Sequence, residues 1–212
     1  MMQLSASLFA ADPLRLADDI AAVSAYVESF HIDIMDGAFT SDFGLNARLV
    51  KELHATTHIP IDVHLMIREP RAVAIRYAEM GVRSIAVHVE AVSDFTEIAS
   101  IMRSNGVRIF AALRHTTAVT ELAAIEDEAD GLLFLTAPAG GGEFDRHAFE
   151  RLAARPRGLM TVVDGRIEPS HFAQLRALDV DLAVVGATLF SATHIGNRAE
   201  ELSIIAACTV PT

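Results

Sequence analysis

Short, almost uninterrupted apolar runs alternate along the chain with longer stretches in which apolar residues recur every three or four positions. The first kind reads as strands covered on both faces, the second as amphipathic helices. Strands are predicted at 3–7, 30–35, 60–66, 84–89, 108–113, 131–135, 159–163 and 182–185. Helical patterns follow at 13–27, 46–55, 70–80, 95–104, 119–126, 146–153, 169–178 and 198–207, the third opening on Pro70 as helix starts favour. A helix between successive strands requires parallel pairing, since antiparallel hairpins hold none. Eight even units in 212 residues sit at the compact end of the closed-barrel range. The runner-up, a doubly wound open sheet, ordinarily carries a Gly-x-Gly-x-x-Gly turn after its first strand, and no such turn follows residue 7. The expected fold is α/β: a single (β/α)8 TIM barrel with a parallel eight-stranded core over residues 1–212.

Charge narrows the partners. Seventeen Lys+Arg against 28 Asp+Glu give a net charge of −11, which disfavours nucleic acid and anionic membranes. Apolar stretches such as 182–185 and 204–208 are far too short to span a bilayer, and no basic segment precedes an apolar run at the N-terminus. The single cysteine, Cys208, makes neither an internal disulfide nor a cysteine metal site, so a cytoplasmic location is expected. Lys51 is the only lysine, and its neighbours read as a solvated helix face. Imine chemistry is therefore disfavoured.

In a barrel, chemistry gathers where strands end. The second strand closes on His31-Ile-Asp33-Ile-Met35-Asp36-Gly37, and period 2 puts His31, Asp33 and Met35 on the inward face. The third places Asp62, His64 and Met66 together, the fourth His88 and Glu90, and the seventh ends on Asp164. A lone inward histidine is ordinarily a hydrogen-bonded core residue. Asp164-Gly165 and Asp36-Gly37 also read as turn starts. Several imidazoles and carboxylates on one rim point instead to a divalent cation, zinc, manganese or iron(II), with His31, Asp33, His64 and Asp164 as candidate ligands.

These motifs resemble the ribulose-phosphate 3-epimerase family, which includes allulose-6-phosphate 3-epimerases. The matching pieces are Ser5-Ala-Ser, Phe-His31-Ile-Asp33-Ile-Met-Asp36-Gly37-Ala-Phe39, Pro60-Ile-Asp-Val-His64-Leu-Met66, Val87-His88-Val-Glu90, Val163-Asp164-Gly165 and Val185-Gly186-Ala187-Thr-Leu-Phe190, in order along most of the chain. The resemblance implies a divalent metal held by His31, Asp33, His64 and Asp164. It also implies that Asp33 and Asp164 act as acid and base on opposite faces of C3 of a ketose phosphate, with the assignment of each open. That is chemically coherent, because a proton next to a carbonyl leaves only if the resulting enediolate is stabilised, and inversion needs one carboxylate to take it and another to return it. Substrate contacts implied are Ser5, Met35, His64, Met66, Gly141, Gly142, Arg166, Gly186 and Ala187. Met35 and Met66 read equally as core filling.

Departures from the family pattern cluster in the substrate loops. The family's Val-Pro-Asn is Thr40-Ser41-Asp42, its Asn-Pro-x-Thr-Pro is Arg114-His115-Thr116-Thr117-Ala118, and a third active-site methionine is replaced by Phe134. The glycines Gly141 and Gly142 still offer backbone N–H groups to an anion. Val-Asp-Gly-Gly becomes Asp164-Gly165-Arg166, and Arg166 binds phosphate, fills the pocket or turns outward. Arg114 and Arg166 together suit a different anion. The leading expectation is metal-dependent 3-epimerisation of a ketose phosphate of the ribulose-5-phosphate/xylulose-5-phosphate type. The alternatives are another isomerase or lyase acting on a different sugar phosphate or acid, and a non-catalytic sugar-phosphate-binding barrel. Helical outer faces permit a homo-oligomer without requiring one.

Overall fold

Strand pairing follows the apolar runs almost residue for residue. In the computed structural model, which describes residues 1–208, the strands are β1 (Gln3–Ser7), β2 (Ser29–Met35), β3 (Ile61–Met66), β4 (Ser84–His88), β5 (Arg108–Leu113), β6 (Gly131–Leu135), β7 (Met160–Asp164) and β8 (Leu182–Val185). They close in sequence order, β8 returning to β1, every pair parallel. Around them run α1 (Leu16–Val23), α2 (Ala47–Thr56), α3 (Arg71–Ala78), α4 (Phe95–Ser104), α5 (Ala148–Ala154), α6 (Pro169–Ala177), α7 (Ala187–Phe190) and α8 (Ile195–Ala207). This is the expected (β/α)8 barrel. Among the described residues no helix is long and apolar enough to cross a membrane.

Local chemistry sets the boundaries. Asn46 caps α2 by accepting the N–H groups of Arg48 and Leu49, and Asp94 caps α4 through Glu97 N–H. The stretch expected to be helical over 13–27 shortens to α1, because Asp12 draws Leu14 N–H into a turn and the Ser24 hydroxyl bonds back to the Ile20 carbonyl. The expected helix at 119–126 is corrected: this crossing consists of two 3-10 turns, Val119–Ala124 and Glu126–Glu128. Only Leu122 of the pair is buried, and three consecutive acids would meet the negative end of a helix dipole there. The short α7 adds one turn between β8 and α8 for which the apolar pattern carries no signal.

Two apolar layers result. Phe30, Ile32, Val63, Ile85, Val87, Ile109 and Leu132 belong to the larger cluster between barrel and helices. The smaller cluster, inside the barrel, comprises Ala86, Phe110, Ala112, Leu133, Leu135, Val162, Leu182 and Val184. Nearly all of that inner layer comes from β5–β8. The buried inward positions of β1–β4 are Ser5, Ser7, Ser29, His31, Asp33, Asp62, His64, Ser84 and His88 together with Ala86 and the methionines.

Candidate active site

The β2–β3 register pairs Asp33 with His64 and Met35 with Met66, while Asp164 closes β7 opposite Leu135. One ligand-type atom from each of His31, Asp33, His64 and Asp164 lies within 4.8 Å of the others. His31 Nε2 is 3.2 Å from Asp33 Oδ1 and 3.5 Å from Asp164 Oδ2; His64 Nδ1 is 3.4 Å and 3.2 Å from the same oxygens. Yet among the described residues His31 Nε2, Asp33 Oδ1 and His64 Nδ1 are buried without a hydrogen-bond partner. Buried polar atoms are ordinarily paired, so three bare ones aimed at one point fit a cation. A tetrahedron with bonds of about 2.0–2.2 Å has edges of about 3.3–3.6 Å, close to the spacing of these contacts. Two imidazoles with two carboxylates suit zinc, iron(II) or manganese.

The electrostatics agree. Burial favours a neutral His31 ring, but the Asp33 and Asp164 carboxylates outweigh it and raise the pKa well above 6.5. His64 shifts upward for the same reason. Burial opposes ionisation of Asp33, yet the His31 and His64 rings hold it well below the usual carboxylate range. Asp164 is lowered too, against both burial and the charge of Asp33. Two buried anions thus draw positive charge between them, which protons supply in part and a dication supplies fully. Ser7 Oγ donates to the far oxygen of Asp33, Oδ2, at 2.8 Å.

Behind His64 the pattern continues. His64 Nε2 lies 2.9 Å from His88 Nε2, and His88 Nδ1 lies 3.1 Å from Glu90 Oε2. Burial pushes the His88 pKa down to about 4, keeping the ring neutral. Burial would raise Glu90, but hydrogen bonds from His88, Thr117 and Arg114 bring it to about 2.

A cavity of about 400 Å³ opens over the cluster, lined by Ser7, Asp33, Met35, Met66, Asp164 and Arg166 among others. The four expected ligands converge. Met35, Met66, Gly141, Arg166, Gly186 and Ala187 also face the cavity. Ser5 does not: it bonds Ser29 one layer down, and Ser7 takes the place at the rim. Period 2 along β1 already aligns the two serines, and the one nearer the strand end is the one that reaches the mouth. Gly142 lies outside the lining, and the Gly141 N–H donates to the Pro138 carbonyl at 3.0 Å rather than pointing free into the cavity. Arg114 is also engaged elsewhere, stacked 3.6 Å over the Phe39 ring and donating to the Phe39 carbonyl at 2.6 Å. Phe134 packs outward against the helices, and Leu135 takes the inward position. Asp62 faces inward at the opposite end of the barrel, paired with Arg83.

Arg166 alone among the lining residues carries a fixed positive charge. No hydrogen bond or ion pair holds its guanidinium among the described residues, and its φ is +54°. Glycine occupies that conformation freely, whereas a side chain is strained in it.

Comparison with known proteins decides the family. Residues 3–190 match the sequence profile of the Ribulose-phosphate 3 epimerase family. The chain belongs to that family. Ribulose-phosphate 3-epimerases of Mycobacterium bovis and Mycobacterium tuberculosis are each 30% identical over 198 residues, 89% of this chain and 86% of theirs. That of Bacillus subtilis is 26% identical over 201 residues, 90% and 93% of the respective lengths. As a member of the ribulose-phosphate 3-epimerase family, the chain is an isomerase-class enzyme. Among solved structures, KGPDC from Streptococcus mutans superposes with a TM-score of 0.80 at 11% identity, covering 97% of each chain. The 3-hexulose-6-phosphate synthase of Salmonella typhimurium gives 0.75 at 17%, covering 97% and 98%. At such identities the likeness is one of fold.

Proposed function

We propose that this ribulose-phosphate 3-epimerase family member catalyses metal-dependent 3-epimerisation of a ketose phosphate of the ribulose-5-phosphate/xylulose-5-phosphate type. The observation that carries the reading is the pair of carboxylates, Asp33 from β2 and Asp164 from β7, facing one cavity across a cluster with three bare polar atoms. His31, Asp33, His64 and Asp164 hold a divalent cation, zinc, iron(II) or manganese. When bound there, it supplies Lewis-acid polarisation of the substrate carbonyl. One aspartate accepts the C3 proton, and the other, as its acid, returns a proton to the opposite face. Ser7, donating to Asp33, fixes that carboxylate's orientation. Met35 and Met66 exclude water from the transfer path without offering a competing base. Arg166, beside Gly186 and Ala187, takes the anionic end of the substrate.

The test is proton exchange in deuterated water with ketose phosphates of four to six carbons. Deuterium enters C3 of both epimers, and Asp164→Asn slows the exchange by about 10²–10⁴-fold, the usual contribution of a general acid or base. Absence of label across that series overturns the reading, and C–C cleavage in its place points to a lyase. Arg166→Gly raises KM for the phosphorylated sugar by about ten- to hundredfold with kcat nearly unchanged, as loss of a charged hydrogen bond away from the reacting carbon does.

A further inference from the structure

The His64–His88–Glu90 line has a direction, and its outer end sets it. Glu90 Oε1 already accepts the Arg114 N–H at 2.9 Å and the Thr117 hydroxyl. Its other oxygen faces His88 Nδ1. An ionised carboxylate only accepts, so His88 carries its proton on Nδ1. A neutral His88 then presents a bare Nε2 to His64, and the 2.9 Å gap between the two Nε2 atoms holds a single proton, which belongs to His64. His64 Nδ1 is left bare toward Asp33 and Asp164. The line is rigid as well: His64 and His88 are fully buried. Phe39 packs 4.7 Å from the His88 ring under the Arg114 guanidinium, and Arg151 ties down the Arg114 and Thr117 carbonyls.

We propose that Glu90, acting through His88, is a positioning residue that fixes the His64 tautomer with Nδ1 open to the metal. The inference rests on the reading that the four-residue cluster holds a cation. It makes a specific prediction about Glu90→Gln. The amide oxygen satisfies Arg114 N–H and the Thr117 hydroxyl, which places the NH2 group against His88 Nδ1. The whole line then reverses without losing a bond: His88 protonates at Nε2, and His64 carries its proton on Nδ1, where the metal belongs.

The experiment measures zinc affinity by chelator competition for the full-length wild type and Glu90→Gln, alongside the melting temperature of each metal-free protein. Glu90→Gln binds zinc about 10–100-fold more weakly, the usual effect of disturbing a partner behind a ligand. Its metal-free melting temperature stays that of the wild type. Long-range proton–nitrogen correlations of the histidine rings in the wild-type zinc form show His88 protonated at Nδ1 and His64 at Nε2. Equal zinc affinity of the two proteins, or a His88 proton on Nε2 in the wild type, overturns the proposal. A Glu90→Gln variant that fails to fold leaves the wild-type ring spectra to decide it. Failure of the wild type itself to bind zinc, iron(II) or manganese overturns the metal reading, and the tautomer assignment with it.

Discussion

Asp33 and Asp62 are buried aspartates on the inward faces of neighbouring strands, and their surroundings satisfy them in opposite ways. Arg83 grips Asp62 through two nitrogens, at 2.9 and 2.5 Å, and the Ser84 hydroxyl adds a third bond at 2.6 Å. Asp33 has the Ser7 hydroxyl and two imidazoles that donate nothing to Oδ1. The first is a closed structural pair, the second an open site. Asp62→Asn leaves Arg83 with Glu28 as its remaining carboxylate, so a loss of about 2–3 kcal/mol is expected, below the range for a wholly stranded buried charge. Burial would raise the Asp62 pKa, but Arg83 and Ser84 lower it. The pair therefore contributes fully above the unfolded aspartate value, and its contribution fades as pH falls below about 4. Urea unfolding at pH 7 and pH 3 checks this: the gap between wild type and variant is present at 7 and shrinks at 3. Strand periodicity alone does not separate these two aspartates, since each alternates with a histidine on one strand face. What distinguishes them is Arg83, 21 residues beyond Asp62. Ser5 and Ser7 pose the same difficulty, because strand period gives the face and not the depth.

Among the elements, the strands were legible and the crossings less so. A parallel strand covered on both faces must be apolar at nearly every position, and that constraint leaves a strong trace. The polar exceptions, His31, Asp33, His64 and Asp164, stood out for the same reason. The β5–β6 crossing carries apolar spacing that reads as a helix, but Leu122 is the one residue of its two turns that is buried, so the spacing reports no packed face. The direction of the His88–Glu90 pair was equally hidden, since Arg114 and Thr117 fix it from a different loop. The interior is divided by element as well, with β1–β4 supplying most of the polar groups and β5–β8 most of the apolar packing, Asp164 on β7 being the exception that completes the site. Phe110 on β5, whose ring lies against Gly131, tests whether the halves are independent. Phe110→Ala costs about 3–5 kcal/mol by transfer and cavity terms. Zinc affinity stays within about twofold of wild type, since sites without shared partners behave additively. Denaturant melts and chelator competition on one preparation measure both.

For the whole molecule, the proposed cation site predicts a thermodynamic link between metal and fold. An ion that binds only the folded chain, at about 100 times its dissociation constant, adds about 2.7 kcal/mol. In a chain of this size that raises the melting temperature by about 5–10 °C. Scanning calorimetry before and after chelation shows the drop, restored by returning the ion and absent in His64→Ala. An unchanged transition argues against a cation at this site.

The divided interior also bears on how a solute lies once inside. The cavity lining sets Ser7, Asp33 and Asp164 among the apolar Leu135, Ala137, Val184 and Ile167, with Leu135 the direct strand partner of Asp164. A polyol chain is itself two-sided, with hydroxyl oxygens along one edge and C–H bonds along the other. Turning such a chain by half a revolution about its long axis would press its oxygens on hydrocarbon and its C–H edge on carboxylates, forfeiting both kinds of solvation at once. For the polyol substrate proposed above, a lining of mixed polarity therefore favours one roll angle over the other as well as one insertion depth.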